Sequence, residues 1–194
     1  YVNLANPEEE AAEKSFGYIL DSARMLKLMG GKRCVFHPAS QGKMTREAAV
    51  EITLSRMRAL AERIADAGLD DLLFCPETMG KVNQLGTLEE VLTLCKLSPL
   101  YHPVVDFGHM NARERGGLFP DCDSYRRVFS TVAERLGVDR TIILNRNTVA
   151  GIVGVIIAII AGLAATEVKG VASMAGNITN ELVSKLGKKS LSKG

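Results

Sequence analysis

Three short apolar runs, Cys34-Val35-Phe36, Leu72-Leu73-Phe74 and Val104-Val105, punctuate the first part of the chain, with helix-length segments between them. Strands that are apolar along their whole length must be covered on both faces. When they alternate with helices, the arrangement that achieves this is a parallel sheet in an α/β fold. In such folds sites assemble at the carboxyl ends of the strands. Here each run is followed closely by a potential metal ligand: His37, Glu77 after Cys75-Pro76, and Asp106 with His109.

The segments between the runs carry helix signals. Asn6-Pro7-Glu8-Glu9 reads as a helix start, with an Asn cap, Pro at the first helical position and acids at the positive end of the dipole. Phe16, Ile19, Leu20, Ala23 and Leu26 follow at helical spacing, and Gly30-Gly31 ends the segment. After a strand at Arg33–Phe36, Thr45 caps a helix reaching about Ala67, whose apolar face is Ala48, Ile52, Met57, Leu60 and Ile64. The cycle repeats with a strand at Asp71–Cys75, a helix from Thr87 through about Leu94, and a strand at Pro103–Val105. A helix over Ser124–Leu136 ends at Gly137, and Thr141–Leu144 reads as a further strand. A full (β/α)₈ barrel takes roughly 250 residues. Residues 1–146 are therefore expected to form a partial TIM barrel of about four βα units.

The character changes after Arg146. Asn147 to Thr166 carries no charge, about the length that crosses a bilayer as a helix. Ala150, Gly154, Ala158 and Gly162 recur every four residues, a spacing that lets membrane helices approach closely. A buried soluble helix or a βα pair accommodates the same residues. In the tail, Val171, Met174, Ile178, Leu182 and Leu186 fall at helical intervals, and Lys185, Lys188, Lys189 and Lys193 crowd the end. This reads as a basic amphipathic helix touching anionic lipid, or as an ordinary solvated one. Residues 147–194 are thus expected to form a helical segment unrelated to the barrel and a candidate for membrane association.

The net charge of +2 does not by itself call for nucleic acid. Cys34, Cys75, Cys95 and Cys122 form no C-x-x-C pair and no disulfide framework, which favours the reducing cytoplasm. The first residues show neither the basic region nor the apolar core of a signal peptide, and the absence of an initiating Met suggests a start within a larger fold.

The strand-end residues suit metal chemistry. His37 opens the loop Pro38-Ala39-Ser40-Gln41-Gly42, and imidazole is a favoured zinc ligand. Glu77, in Pro76-Glu77-Thr78-Met79-Gly80, has two oxygens able to bridge two ions, or to cap the following loop instead; Gly80 would allow that loop a tight turn. Asp106 and His109 form D-x-x-H immediately after a strand, where a short turn can aim both side chains into one cleft. Two or three zinc ions there would activate water and hold the oxygens of a phosphodiester.

Taken together these residues resemble the endonuclease IV family, zinc-dependent apurinic/apyrimidinic endonucleases with a TIM-barrel fold. The resemblance covers about residues 1–140, through Tyr1-Val2-Asn3-Leu4-Ala5, Glu13-Lys14-Ser15, Val35-Phe36-His37-Pro38, Glu77-Thr78-Met79-Gly80 and Asp106-x-x-His109. It implies that His37 is a first-metal ligand, Glu77 the bridging carboxylate and catalytic centre, Asp106 a second-metal ligand and His109 a third-metal ligand. Tyr1 would lie against abasic duplex DNA. Met79 and Val82 replace small residues of the family pattern, and Phe107-Gly108 stands where its best-known members carry Thr-Cys. The family's later ligands have no counterpart, for no histidine follows His109. Two alternatives stand beside this reading: a sugar isomerase or epimerase of the xylose isomerase-like superfamily, and a non-catalytic truncated barrel with a membrane-associating tail.

Overall fold

In the computed structural model the described residues are 2–137 and the backbone of 143–144. Tyr1 and the expected apolar and amphipathic segments over 147–194 lie outside them. In chain order the elements are α1 (Glu9–Leu28), β1 (Arg33–Phe36), β2 (Ala39–Ser40), α2 (Arg46–Asp66), β3 (Leu73–Pro76), β4 (Gln84–Leu85), α3 (Leu88–Cys95), β5 (Val104–Val105), α4 (Phe107–Arg113), α5 (Cys122–Leu136) and β6 (Ile143–Leu144).

The apolar runs form a parallel sheet. β1 pairs with β3 in the register Arg33↔Leu73 to Phe36↔Pro76. Parallel bridges Phe74↔Tyr101 and Glu77↔Val104 join β3 to the chain around β5, and β5 pairs in parallel with β6 through Val104↔Ile143. The order β1-β3-β5-β6, with helices in between, is a partial TIM barrel. α1 and α2 bury Phe16, Ile19, Met57, Leu60 and Ile64 against Phe36, Leu72, Phe74 and Tyr101. Each such fully buried side chain contributes about 1.5–3 kcal/mol of transfer free energy. The Tyr101 hydroxyl, inside this core, donates to the Met57 carbonyl at 2.7 Å.

Several local expectations need correction. α1 starts later than Asn6-Pro7 suggests, because the Asn6 side chain accepts the Glu8 N–H at 3.0 Å and closes a turn before the helix begins. Its other end is as expected: Gly30 at φ +76° lets Gly30 and Gly31 return their N–H groups to Lys27 and Leu26, a Schellman ending. The buried stripe of α2 is Ala49, Thr53, Met57, Leu60 and Ile64, one step round from Ala48 and Ile52. Thr53 fits there because its hydroxyl is satisfied by the Ala49 carbonyl at 2.7 Å. The turn expected after Asp106 is instead the helix α4, and α5 begins at Cys122 with Asp121 as its cap. β2 and β4, an antiparallel pair of two residues each, are too short to show any alternation in sequence. Among the described residues no helix is long and apolar enough to cross a membrane.

Candidate metal centre

The site is built where β3 and β5 end. Glu77 follows β3 directly, its N–H bonded to the Phe36 carbonyl of β1 at 3.2 Å, and it is 3% exposed. The next residue is a bracket between strands. The Thr78 N–H donates to the Val104 carbonyl at 3.0 Å, and its hydroxyl accepts the Asp106 N–H at 2.8 Å. Its carbonyl lies 2.9 Å from Nδ1 of His109. A carbonyl can only accept, so in this contact the nitrogen is the donor. Fixing the tautomer through a backbone carbonyl is how metal-ligating histidines are commonly held.

Asp106 is fully buried and caps α4, with Oδ1 accepting the His109 N–H at 2.8 Å. The cap explains the i, i+3 spacing: one carboxylate oxygen starts the helix and the other is 3.6 Å from the His109 imidazole. Phe107, next in sequence, anchors this helix start in an aromatic cluster, 4.9 Å from Tyr125 and 5.0 Å from Phe119 between ring centroids. Gly80 contributes a close approach instead of an unusual backbone angle. A side chain there would meet the His109 backbone at 3.3 Å.

The structure brings Glu77, Asp106 and His109 together, with one ligand atom of each within 4.8 Å of the others. His37 reaches the other oxygen of Glu77, its Nε2 3.3 Å from Oε2, while Oε1 is 4.0 Å from Nδ1 of His109, and the two imidazoles lie 6.5 Å apart between ring centroids. The hydrogen bond to Glu77 raises the pKa of His37 above its ordinary value, against the opposing effect of partial burial. Two carboxylates buried this close are costly to keep ionised together without a cation between them. A divalent cation offsets that cost, and the mix of carboxylate oxygen and imidazole nitrogen suits zinc and similar ions. The donor set therefore fits a metal centre. His37 is 45% exposed and His109 24%, so the site opens on the side of the imidazoles.

Sequence reasoning missed the arginines that hold the surrounding loops. Arg56 of α2 donates to the carbonyls of Leu4 and Asn6 in the N-terminal segment, and the Leu4 N–H in turn holds the Pro38 carbonyl beside His37. Arg46 and Arg113 do the same for the loop after Thr78. A guanidinium pointing at backbone carbonyls leaves no sequence pattern.

Residues 1–147 match the xylose isomerase-like TIM barrel family, and the chain belongs to it. Residues 145–194 match a second family, described by a cell envelope-related function. An uncharacterized protein of Methanocaldococcus jannaschii is 36% identical over 141 residues, covering 71% of this chain and 49% of that one. The chain thus spans about half the length of the curated relative it matches. Among solved structures, D-psicose 3-epimerase with D-tagatose from Clostridium cellulolyticum aligns with TM-score 0.61 and 17% identity, over 89% of this chain and 58% of that one. L-Ribulose 3-epimerase aligns with TM-score 0.62 and 17% identity over 89% and 56%. SacUVDE aligns with 0.51 and 19% over 74% and 44%. At identities this low the likeness shows the fold alone.

Proposed function

We propose that residues 1–146 form the metal-ligating portion of a zinc-dependent phosphodiesterase of the endonuclease IV type, acting on abasic DNA. The observation that carries the reading is the Glu77 carboxylate, one oxygen of which faces the His37 imidazole while the other lies toward the side where Asp106 and His109 converge. That arrangement suits a carboxylate shared between two ions better than one serving a single ion. His37 and Glu77 would hold one zinc, Glu77 and Asp106 a second, and His109 a third. When bound, the ions supply an activated water and stabilise charge on the phosphoryl oxygens. Glu77 is placed by its N–H bond to the Phe36 carbonyl and Asp106 by its N–H bond to the Thr78 hydroxyl, and the Thr78 carbonyl accepts from Nδ1 of His109. Tyr1 would meet the DNA. Elemental analysis after zinc loading, with binding and cleavage of an abasic-site duplex, tests the reading. More than one zinc per chain and a preference for the abasic over the intact duplex are expected. No zinc and no preference would overturn it.

A sugar isomerase or epimerase is the second reading, favoured by the compactness of Glu77, Asp106 and His109, which alone suffice for one ion. The epimerases among the solved structures share the fold. This reading expects one divalent ion per chain, binding of a ketose and no affinity for abasic duplex.

For residues 147–194 the proposal is a separate segment that associates with membrane. The uncharged stretch Asn147–Thr166 and the match to a family of cell envelope-related function support it. Co-sedimentation of the chain with anionic vesicles, lost on ending the chain at Arg146, is the expected result.

A further inference from the structure

We propose that Arg113 is a positioning residue for the metal centre, holding the loop after Glu77 and Thr78 by its carbonyl oxygens so that Gly80 stays packed on His109; the inference rests on the metal-centre reading above. Arg113 lies in the last turn of α4, the helix that Asp106 caps and His109 occupies. Its Nη1 is 3.3, 2.8 and 3.2 Å from the carbonyl oxygens of Met79, Lys81 and Gln84, and its Nη2 is 3.1 Å from that of Val82. One helix therefore carries two ligands at its start and, at its end, the group that gathers the loop following a third.

Arg46 closes the same loop from α2, donating to Val82 at 2.7 Å and Gln84 at 3.0 Å. It also takes the Glu90 carboxylate in a two-pronged bond, at 2.7 Å on both oxygens. Two guanidinium groups thus converge on one loop with a shared carboxylate nearby. Burial, and the neighbouring Arg46, hold the Arg113 pKa below its usual value. The tip of that loop, Lys81 to Asn83, is exposed, so the two guanidinium groups rather than a buried core hold its carbonyls. What that hold secures is the approach of Gly80 to His109, where a single added carbon would already press on the histidine backbone. The base of the loop is tied separately, by the Met79 N–H to the Gly86 carbonyl at 2.8 Å. Gly86, at φ +143°, has Met79 atoms where a side chain would stand. Arg113 therefore governs the loop between these two points.

Arg113→Lys and Arg113→Ala distinguish positioning from a general contribution to stability, because lysine keeps the charge but loses the planar fork that reaches several carbonyls. The metal-free full chain and both variants are titrated with zinc by calorimetry, and hydrogen exchange is followed over residues 79–86. Both variants are expected to bind zinc about 10–100-fold more weakly, the range for partners that orient ligands from behind, with faster exchange in the loop. Arg63→Ala, which breaks the α1–α2 pair with Glu13, is the stability control and is expected to keep the wild-type affinity. Unchanged zinc affinity in both Arg113 variants, with wild-type binding intact, overturns the inference and leaves the metal reading standing. Full recovery in Arg113→Lys overturns the fork geometry. A wild-type chain that takes up no zinc overturns both.

Discussion

Nε2 of His37 lies 3.3 Å from Oε2 of Glu77, and this contact ties together the ends of the paired strands β1 and β3. Glu77→Gln keeps the shape and removes the charge. Zinc affinity is expected to fall by at least ~100-fold, beyond the range seen for residues that only orient ligands. In the metal-free chain the His37 pKa is expected to move down toward its ordinary value, since the Glu77 hydrogen bond is the largest cause raising it. NMR titration of the imidazole resonances measures this; an unmoved His37 would show that Glu77 does not govern it.

Asp106→Asn separates capping from ligation. Asn caps helices about as well as Asp, so stability is expected to stay within ~1 kcal/mol of wild type. Zinc binding, which needs the carboxylate, is expected to weaken sharply. Urea unfolding beside a zinc titration checks both, and a loss of stability as large as the loss of binding would refute the separation.

Thr78→Val replaces the hydroxyl that accepts the buried Asp106 N–H. An unsatisfied buried donor costs about 1–3 kcal/mol, and that loss is expected in the urea midpoint. Thr78→Ser retains the acceptor and should recover most of it.

Glu90 ties stability to acid pH. Burial works to raise its pKa, but the hydrogen bonds from Arg46 and from the Gly86 and Thr87 N–H groups outweigh it, and the net shift is downward from 4.5. A carboxylate lowered in the folded state contributes stability above its unfolded pKa and loses it as pH falls through the folded value. Glu90→Gln is therefore expected to be less stable at neutral pH and to show a flatter decline below about pH 4.5. Unfolding midpoints measured between neutral pH and pH 3 would expose a decline as steep as that of wild type, the contrary result.

The cysteines should separate by reactivity. Burial pushes the Cys34 thiol up to about 11 and Cys75 up to about 12, Cys95 is also buried, and Cys122 is exposed. Native alkylation at neutral pH is expected to modify Cys122 alone within minutes, and all four after denaturation. Mass spectrometry of the labelled chain reads the outcome, and rapid labelling of Cys75 would contradict the burial of β3.

By itself the sequence determined the alternation of strands and helices, the caps at Thr45 and Thr87, the glycine ending of α1 and the placing of His37, Glu77, Asp106 and His109 at strand ends. All of these are local: apolar runs, cap chemistry and glycine backbone act over a few residues. The tertiary structure decided what joins across the fold. Only parallel pairing of β1, β3 and β5 brings Glu77 to two imidazoles, and the packing of Phe107 among Tyr125 and Phe119 anchors the helix that Asp106 caps. The brackets made by Thr78 and the grip of Arg46 and Arg113 on loop carbonyls were likewise invisible beforehand. Any residue offers a backbone carbonyl, so the partner of a guanidinium is set by where the elements meet, not by which side chains they carry.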